Sequence, residues 1–410
     1  MIRVAITGLG MVSPVGNDRD ACWTALANGV SGIRRITHFD AGSFDVQLAG
    51  EVKGSLSLPG FVADIAAHDP KTGYAFAACR EAMRSAALAS LGGESLLHVA
   101  TSLETFDLSK VVHKGKPDFA GVASKSLVPG AVPLQFPLDT AANLIMGQYG
   151  RPGQMLTNCS ACAAGTQAIG QAFQALRAGR FSMALCGGFD SMINPLGVGG
   201  FQLLGALTAS NERGPLACRP FDSRRNGTVL GEGAAMVVLE PLEKARADGR
   251  TILAEMCGYG SSLDACSVSA PDPDGKGAER SMRAALEDAG IDAAAVGHIN
   301  THGTGTVLND AVEAAAIRRV FSDNWQTIPV SSTKSMTGHL IAAAGAIELG
   351  ACLLAAVRGI LPPNPSLNKP GQDCELNHVV TAGITLGREY ILSNSFGFGG
   401  QNGTLVIRKF

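Results

Sequence analysis

The stretch Leu156–Arg180, LTNCSACAAGTQAIGQAFQALRAGR, carries the clearest structural signal in this chain. A short apolar run ending at Leu156 leads into Cys159-Ser160-Ala161-Cys162, and small residues with helical periodicity then continue to Gly179. We interpret the pattern as strand, tight turn and helix. Cys162 would then lie at the helix start, where unpaired N–H groups and the helix dipole lower the pKa of a thiol and make it a nucleophile. The alternative is that Cys162 is a small buried thiol.

The composition predicts a large globular protein and disfavours a nucleic-acid-binding function. The chain has 410 residues, of which 46% are hydrophobic and 17% are charged, and it contains 51 glycines. This length suffices for a large core and for two domains or two fused halves. The formal net charge is −2, and no block is rich in lysine or arginine. The chain therefore offers no basic field to a polyanion.

The apolar segments predict a cytoplasmic protein without a membrane span. Residues 1–18, MIRVAITGLGMVSPVGND, are apolar only briefly and lack the core of a signal peptide. The longest apolar candidate, Leu340–Val357, is interrupted by Gly345, Glu348 and Gly350. The ten cysteines are scattered through the chain, which is typical of reduced thiols.

Cys159 and Cys162 form a C-x-x-C pair. A zinc site would need a second pair of ligands at comparable spacing, and the sequence has none. A dithiol redox centre stays open as an alternative, although such motifs are typical of much smaller βαβ domains.

Strands and helices alternate along the chain in two sets of comparable order. This alternation predicts an α/β protein with mostly parallel sheets covered on both faces. We predict an N-terminal half over residues 1–250 and a C-terminal half over residues 251–410. In the first half we expect a strand at Arg3–Thr7 with a turn at Gly8–Gly10, a strand at Met183–Gly187, and a hairpin over Thr228–Glu240.

The remaining predicted elements follow from hydrophobic periodicity and from glycine and proline breaks. Leu108–Pro137 reads as an irregular segment, which is typical of functional or subunit-contacting regions. The predicted helices are Asp18–Asn28, Pro70–Ala89, Asp139–Gln148, Pro241–Asp248, Gly277–Ala289, Asp310–Phe321 and Ala342–Val357. The other predicted strands are His98–Thr101, Ile252–Gly258, Gly297–Thr301, Ile328–Ser331, a segment near Val379, Tyr390–Ser393 and Gly403–Arg408.

Three further stretches carry small and polar residues at predicted strand ends. Ile299–Asp310 contains His302, Val330–Gly345 contains Lys334 and His339, and Ser393–Gly403 is a glycine-rich turn. Taken singly, each histidine has the alternative of a hydrogen-bonded core residue, and Lys334 that of a surface charge. Ligands of α/β proteins bind beyond the carboxyl ends of strands, so we expect these residues to share one active site with Cys162.

Four motifs in this order resemble the β-ketoacyl-[acyl-carrier-protein] synthases of the elongating type. They are Ser160–Gly165 (SACAAG), Asn300–Thr306 (NTHGTGT), Ser331–His339 (SSTKSMTGH) and Asn394–Gly400 (NSFGFGG). The resemblance covers nearly the whole chain. It implies a thiolase-like fold in which two related halves form a five-layered αβαβα core. It also implies a homodimer, or a heterodimer with a related ketosynthase or chain-length-factor subunit.

The resemblance implies a role for each site residue. Cys162 would take an acyl group from the phosphopantetheine of an acyl carrier protein, with the N–H groups of Cys162 and Phe398 as the oxyanion hole. His302 and His339 would promote decarboxylation of a malonyl thioester as neutral imidazoles, and Lys334 would tune their electrostatics. Phe398 also resembles a gating phenylalanine.

The resemblance implies that no cofactor is required, but it does imply a structural Na+ or K+. The positions that match the cation ligands of the family are Asn300, Glu348, Ser393 and Asn394. Glu348 has an equal claim as the partner of Lys334.

Several positions depart from the elongating fatty-acid enzymes. Phe61–Tyr74 offers Lys71 as its one lysine, where those enzymes carry several basic residues that bind the carrier protein. Ser210 stands where they commonly have arginine, Gln401 replaces a threonine, and Val99–Leu108 lacks a G-T-G-like turn. Together these departures favour a specialised synthase of a polyketide or polyene pathway over a fatty-acid enzyme.

Three rival functions share the fold. A thiolase acting on coenzyme A esters would carry a second cysteine near the C-terminal glycine-rich turn, and this chain has none there. An initiating synthase would have Cys-His-Asn, which His339 contradicts. A catalytically silent chain-length-factor subunit would lack the nucleophile, whereas Cys162 is present.

Overall fold

The computed structural model describes residues 1–106, 112–113, 116–117 and 134–410. The segment predicted to be irregular, Leu108–Pro137, lies largely outside the described residues. In chain order the strands are β1 (Val4–Val12), β2 (Ile33–Arg35), β3 (Leu48–Gly50), β4 (Ser95–Ala100), β5 (Thr105–Phe106), β6 (Val112–His113), β7 (Lys116–Pro117), β8 (Gln135–Phe136), β9 (Gln154–Asn158), β10 (Met183–Ser191), β11 (Glu232–Pro241), β12 (Ala254–Leu263), β13 (Val296–Asn300), β14 (Val330–Ser331), β15 (Tyr390–Gly397) and β16 (Gln401–Lys409).

The eight predicted helices occur in the predicted order, with ends that differ by a few residues. Three further helices among the described residues were not predicted: Gly60–Ala66, Pro195–Leu203 and Lys334–Thr337. Short 3-10 turns precede two of the predicted helices, at Ala161–Ala163 and Ile341–Ala343. The helices are α1 (Arg19–Ala27), α2 (Gly60–Ala66), α3 (Pro70–Ser85), α4 (Thr140–Tyr149), α5 (Ala164–Arg177), α6 (Pro195–Leu203), α7 (Leu242–Ala247), α8 (Lys276–Ala289), α9 (Val307–Phe321), α10 (Lys334–Thr337) and α11 (Ala344–Arg358).

Ten of the described strands form one mixed sheet whose two halves repeat the same strand order. From the centre outward the N-terminal half runs β1-β11-β10-β4-β9, and the C-terminal half runs β12-β16-β15-β13-β14. Numbered along the chain within each half, both orders are 1-5-4-2-3. The halves meet where β1 pairs with β12. The predicted relation between the halves is therefore visible in the topology, while the boundary between residues 250 and 251 stays a prediction.

The prediction of a mostly parallel sheet is wrong, because five of the nine pairs among the ten described strands of this sheet are antiparallel. The three outer strands of each half are parallel, but the inner pairs β1·β11, β10·β11, β12·β16 and β15·β16 are antiparallel. The reason is clearest at β15 and β16, which are joined by only the turn Phe398–Gly400. A connection this short can join antiparallel strands only.

Two helices lie between the halves of the sheet. Helix α5 contacts β10 of the N-terminal half and β12 of the C-terminal half, and α11 contacts β15 and β11. On the outer faces, α3 packs against β1 and β11, and α8 packs against β12 and β16. The layers are therefore α, β, α, β and α, which confirms the thiolase-like α/β fold.

The central position of α11 explains its unusual composition. The segment Ile341–Arg358 is long and apolar enough to cross a membrane, with a mean hydropathy of 1.7 over 18 residues. Yet 89% of the segment is buried inside the protein. Its apolar surface covers the inner faces of both halves of the sheet, as expected for a core helix.

The predicted turn at Gly8–Gly10 is wrong, because both glycines lie inside β1. A Cβ atom at Gly8 would lie 2.3 Å from the carbonyl oxygen of Ala82, and one at Gly10 would lie 1.9 Å from that of Ala78. Both carbonyl groups belong to α3. The glycines therefore allow a helix to pack directly on the strand and do not make a turn.

Glycines in β10 and β11 also led to wrong predictions, of an early strand end and of a hairpin. Strand β10 continues past its predicted end at Gly187 to Ser191. The predicted hairpin over Thr228–Glu240 is the single strand β11, which lies between β1 and β10. A Cβ atom at Gly233 would lie 2.2 Å from the carbonyl oxygen of Val12, so this glycine permits close pairing. The strand predicted near Val379 is also wrong, since His378 forms only an isolated bridge to Val330.

Candidate active site

Cys162 lies in the 3-10 turn between β9 and α5, so the predicted order of strand, turn and helix is confirmed. Ala161 opens the turn with a φ of 49°, a conformation that alanine rarely adopts. The sulfur is almost fully buried, with 4% of the residue exposed. The backbone N–H groups of Phe398 and of Cys162 itself face the sulfur, and both favour the thiolate.

The predicted lowering of the Cys162 pKa is wrong for this conformation. Burial raises the pKa of the thiol to about 11, although the Phe398 N–H group and the positive charge of Lys334 oppose the rise. The reason is that desolvation of a thiolate outweighs the donors around it. Cys162 is therefore a thiol here, and it must lose its proton when it attacks.

His302 follows β13 in a loop that a buried carboxylate holds in place. The two carboxylate oxygens of Glu313 accept the N–H groups of His302 and Gly303, each at 2.8 Å. Asp310, one turn earlier on α9, accepts the N–H groups of Thr304 and Gly305. Two buried carboxylates of one helix therefore hold the backbone of this loop by hydrogen bonds.

Asp310 and Glu313 are residues that the sequence reasoning missed. Both side chains are fully buried, and burial raises the pKa of Glu313 to about 7. The available signal was their spacing of three on a helix directly after the His302 motif, which places both on one face.

His339 is held by its backbone and by one ring nitrogen. Its N–H group donates to the carbonyl oxygen of Val229 at 2.7 Å, and its own carbonyl oxygen accepts from Gly231 at 2.9 Å. The ring Nδ1 accepts the N–H group of Ile341 at 3.2 Å. Since Nδ1 is an acceptor, the ring proton of the neutral imidazole lies on Nε2.

His302 is placed in the same tautomer by a different donor. Lys334 Nζ lies 3.3 Å from His302 Nδ1 and donates to the His302 carbonyl oxygen at 2.5 Å. An ammonium group can only donate, so Nδ1 accepts and Nε2 carries the proton. The two imidazole rings are 5.3 Å apart at an angle of 82°. The site therefore holds two neighbouring Nε2–H donors.

Both histidines are neutral near physiological pH. Burial lowers the pKa of His302 and that of His339 well below 6.5, and the charge of Lys334 lowers both further. A neutral donor can stabilise a developing oxyanion without first losing a charge.

Lys334 and Glu348 form a buried ion pair behind the histidines. Lys334 Nζ donates to Glu348 Oε1 and to the His302 carbonyl oxygen. Burial raises the pKa of Glu348 to about 7, against the opposing effect of Lys334. Of the two roles expected for Glu348, partnership with Lys334 is therefore the one that its contacts display.

Three of the four predicted cation ligands have side-chain atoms without a hydrogen-bond partner among the described residues. Both amide atoms of Asn300, Glu348 Oε2 and Ser393 Oγ are buried without a hydrogen-bond partner among the described residues. Asn300 and Ser393 are paired between β13 and β15. The Asn394 side chain instead donates to Glu313 and accepts from Thr404. Three of the four residues thus carry buried oxygen atoms that fit a hard monovalent cation. Within the described ranges, no group of three or more His, Cys, Asp or Glu residues could hold a metal ion.

A cavity of about 250 Å³ brings the predicted residues together. Cys162, His302, His339 and Phe398 all line it, and Lys334 lies behind His302. The ring of Phe398 stacks on Phe201 at 6.0 Å. The expected convergence of four separate stretches on one cavity is therefore present.

Aliphatic side chains surround the mouth of the cavity. Leu204, Val307 and Leu308 line it and are 56%, 57% and 61% exposed. Asn226 also lines it and binds Ser210, which stands where the related enzymes carry arginine. Lys71, the one lysine in Phe61–Tyr74, is buried and donates to the carbonyl oxygen of Leu103. Lys71 is therefore not available to a carrier protein.

Gln401, another departure from the related enzymes, reaches the Cys162 turn through a short chain of contacts. Gln167 donates to Gln401 at 3.3 Å, and Ser160 donates to Gln167 at 2.6 Å. Cys159, the other member of the C-x-x-C pair, is exposed and donates from its sulfur to the carbonyl oxygen of Ser102.

The fold and this combination of one thiol and two neutral imidazoles define a condensing enzyme of the thiolase-like class. Residues 1–245 match the model of the beta-ketoacyl synthase N-terminal domain, and residues 253–368 match that of the C-terminal domain. The chain belongs to the β-ketoacyl synthase family.

Three known proteins illustrate the similarity. The 3-oxoacyl-[acyl-carrier-protein] synthase 2 of Staphylococcus aureus (strain MRSA252) is 38% identical over 417 residues, which cover 100% of this chain and 99% of that protein. The ishigamide ketosynthase/chain length factor structure has a TM-score of 0.86 at 31% identity, covering 100% and 99% of the two chains. The complex of a type II PKS acyl-carrier protein with its ketosynthase bound to the hexaketide (AntDE:AntF) has a TM-score of 0.86 at 29% identity and full coverage of both chains.

These findings confirm the predicted family, the fold and the class of enzyme. The protein is a β-ketoacyl synthase of the elongating type, an acyltransferase, and this interpretation holds over a thiolase or a silent subunit.

Proposed function

We propose that the protein condenses malonyl-[acyl-carrier-protein] with an acyl group held on Cys162 and so elongates a fatty-acid, polyketide or polyene chain. The observation that carries the proposal is the convergence of the Cys162 sulfur, two Nε2–H donors and the Phe398 N–H group on one cavity. We assign the nucleophile to Cys162, decarboxylation to His302 and His339, and electrostatic support to Lys334.

The first step is transfer of the acyl group. The sulfur of Cys162 attacks the carbonyl carbon of the carrier-bound thioester, while the N–H groups of Cys162 and Phe398 stabilise the negative oxygen. The bond to the phosphopantetheine sulfur then breaks. The proton lost by Cys162 ends on the released phosphopantetheine thiol, so the step is balanced. A raised pKa makes this step dependent on pH.

The second step is decarboxylation of the malonyl thioester. The Nε2–H groups of His302 and His339 bind its carbonyl oxygen, and the bond to the carboxylate carbon breaks to release CO₂. The electrons remain as an enolate on the thioester. The charge of Lys334 favours the neutral form of both rings, which leaves their protons available for this oxygen.

The third step forms the new carbon–carbon bond. The enolate carbon attacks the carbonyl carbon of the acyl-Cys162, and the sulfur leaves as a thiolate that takes up a proton. The product is a β-ketoacyl thioester on the carrier protein. Phe398 lines the cavity together with Cys162, and its ring stacks on Phe201, which suits a gate for the acyl chain.

We further propose a structural Na+ or K+ held by Asn300, Glu348 and Ser393, beside the Lys334–Glu348 pair. Their buried, unpartnered oxygen atoms support it. Asn394, the fourth position, would contribute at most its backbone, since its amide is occupied. No cofactor beyond the phosphopantetheine arm of the carrier is required.

The carrier protein would dock on the aliphatic rim of the cavity, formed by Leu204, Val307 and Leu308. AntDE:AntF, a relative described above, pairs a ketosynthase with an acyl-carrier protein. The ishigamide relative pairs one with a chain length factor. In this chain, β9 is an edge strand with Leu156 exposed, and such an edge favours pairing with a second subunit. We propose a homodimer, or a heterodimer with a related subunit, that works in the cytoplasm.

The test is acyl loading by a purified sample without a partner. Incubation with an acyl-[acyl-carrier-protein] should add the acyl mass to a peptide containing Cys162, and Cys162→Ala should abolish the addition. Unchanged loading in that variant would overturn the catalytic assignment.

A second measurement tests whether the carrier protein docks on the aliphatic rim formed by Leu204, Val307 and Leu308. Leu308→Ser should slow loading from the carrier protein while loading from a free acyl-pantetheine thioester stays unchanged. The matched control is Val357→Ser, an equally simple change at an exposed aliphatic residue on α11. Equal loss with both donors would show that Leu308 acts on the cavity and not on docking.

A further inference from the structure

The turn Ile341–Ala343 repeats the form of the Cys162 turn. A non-glycine residue with positive φ opens each turn, Ala161 at 49° and Ile341 at 48°. A central helix follows each, α5 after the first and α11 after the second. Ala342 is therefore the counterpart of Cys162 in the C-terminal half.

The strand ends beside the two turns differ in polarity. At the end of β15, the Phe398 N–H group faces the Cys162 sulfur. At the end of β10, the counterpart of β15, Asp190 Oδ2 accepts the N–H group of Ala342 at 3.0 Å. At the second turn the Asp190 carboxylate oxygen therefore accepts the N–H group of Ala342. The equivalent N–H group at the first turn, that of Cys162, would bind the oxyanion of a substrate.

Asp190 is built firmly into this place. Its side chain is fully buried, and its other oxygen, Oδ1, accepts the Ser102 hydroxyl and the Ser191 N–H group, both at 2.9 Å. Charge-assisted hydrogen bonds of this kind are about twice as strong as neutral ones.

The Ala342 peptide is adjacent to the group that orients His339. The N–H group of Ile341 donates to His339 Nδ1. A β-branched residue with positive φ is a genuine outlier, and such a conformation persists only where the surroundings hold it. The Asp190–Ala342 hydrogen bond fixes the next peptide, so it holds Ile341 in this conformation.

We propose that Asp190 is a positioning residue for His339: its carboxylate holds the turn Ile341–Ala343 and so keeps the Ile341 N–H group on His339 Nδ1, with the Nε2–H group aimed at the malonyl thioester. The proposal rests on the decarboxylating role proposed for His339.

The charge of Asp190 provides a way to separate this role from a general loss of structure. Burial raises the pKa of Asp190, and the positive charge of Lys71, which is also buried, opposes that rise. The negative charge of the ionised carboxylate opposes ionisation of Cys162. Neutralising Asp190 therefore does not disfavour the Cys162 thiolate. Acyl loading should survive a change that impairs His339.

The decisive variant is Asp190→Asn. Its single carbonyl oxygen would face the two donors Ser102 and Ser191, which turns its NH₂ group toward the Ala342 N–H group. Two donors cannot bond, so the turn shifts away. We expect acyl loading of Cys162 within about threefold of the unmodified protein, while malonyl decarboxylation falls on the order of 10- to 100-fold, as for a misplaced catalytic group.

The matched control is Ser102→Ala, which removes one hydrogen bond of Asp190 and leaves the bond to Ala342 intact. It should decarboxylate normally. Equal losses of loading and decarboxylation in Asp190→Asn, or the same selective loss in Ser102→Ala, would overturn the proposal.

Misfolding of the variant and inactivity of the unmodified protein each have a defined meaning. If Asp190→Asn is insoluble, Asp190→Glu is measured in the same way, and failure of both to fold would mark Asp190 as structural only and overturn the positioning role. If the unmodified protein neither loads nor decarboxylates, the proposed function itself fails, which distinguishes that result from failure of this inference.

Discussion

The turns Ala161–Ala163 and Ile341–Ala343 occupy equivalent places in the two halves, each leading into a central helix. At the first, the residue in the middle is Cys162 and the nearby strand end supplies an N–H donor. At the second, the residue is Ala342 and the strand end supplies the Asp190 carboxylate. One backbone therefore serves two tasks, and the polarity of the adjoining strand end decides whether the turn is open to a substrate oxygen or closed by the protein.

The largest effect should follow from removing the thiol of the first turn. We expect Cys162→Ala to reduce condensation by at least about 10³-fold, since the proposed mechanism holds the acyl group on this thiol. Malonyl decarboxylation should remain measurable, because it belongs to the histidines. Intact-protein mass and release of labelled CO₂ report the two steps. Cys159→Ala is the control, and equal loss in that variant would contradict the assignment to Cys162.

The next largest effect should follow from removing the two histidine Nε2–H donors. His302→Ala and His339→Ala should each lower decarboxylation on the order of 10²- to 10³-fold, the usual cost of losing an oxyanion donor. Acyl loading of Cys162 should persist in both. The same two assays measure the outcome. If loading fell in step with decarboxylation, the histidines would be positioning Cys162.

Close packing between the turns predicts a loss of stability. A Cβ atom at Gly345 would lie 2.1 Å from Thr166 Oγ1, and one at Gly165 would lie 2.7 Å from the carbonyl oxygen of Ala342. Gly345→Ala and Gly165→Ala should each lower the free energy of unfolding by about 1–3 kcal/mol, as overpacking does. Urea denaturation measures it.

The control for these glycine variants is Gly147→Ala. Gly147 lies in α4 with no atom near a new Cβ, so alanine should be neutral or stabilising. Wild-type stability in Gly345→Ala would mean that the turns do not pack as tightly as their distances indicate.

Acyl loading and decarboxylation should both increase with pH, but over different ranges of pH. Because the pKa of Cys162 is raised to about 11, loading should increase with pH by up to about tenfold per unit below that value. The pKa values of His302 and His339 lie well below 6.5, so decarboxylation should stay constant above pH 6.5 and fall only in more acidic solution. Parallel pH profiles for loading and decarboxylation would contradict this.

Lys334 links the two profiles. Its charge lowers the pKa of Cys162 and of both histidines. The double variant Lys334→Met, Glu348→Gln removes the pair without leaving a buried charge alone. In this variant loading should slow at a given pH, and the acid limb of decarboxylation should move to higher pH. The unmodified protein is the reference for both pH–rate profiles, because Glu348→Gln alone would leave the buried charge of Lys334 unpaired.

Sequence patterns predicted the fold class and brought Cys162, His302, His339 and Phe398 into one site. They could do so because each of these residues lies beyond the end of a strand, where the ligands of α/β proteins bind. The duplication was predicted only in outline, since periodicity does not reveal which strands pair.

The remaining features depend on burial, which a sequence does not display. Asp190, Asp310 and Glu313 read as ordinary acidic residues, yet each is a buried acceptor of backbone N–H groups. Gly8 and Gly10 predict a turn from the sequence because a turn and a close helix contact both require the absence of a Cβ atom. The pKa of Cys162 is raised and not lowered as predicted, because the sequence shows the helix start but does not show the burial of the thiol.

The helix α11 has a consequence for how the protein is made. During synthesis the N-terminal half leaves the ribosome first, and the part of its sheet that α11 covers stays exposed until residues 341–358 arrive. The same segment, released without the first half, would offer chaperones and membranes an uncovered apolar helix. We therefore expect neither half to be soluble when expressed alone, and co-expression of the two halves to recover the protein only if both are present while they fold.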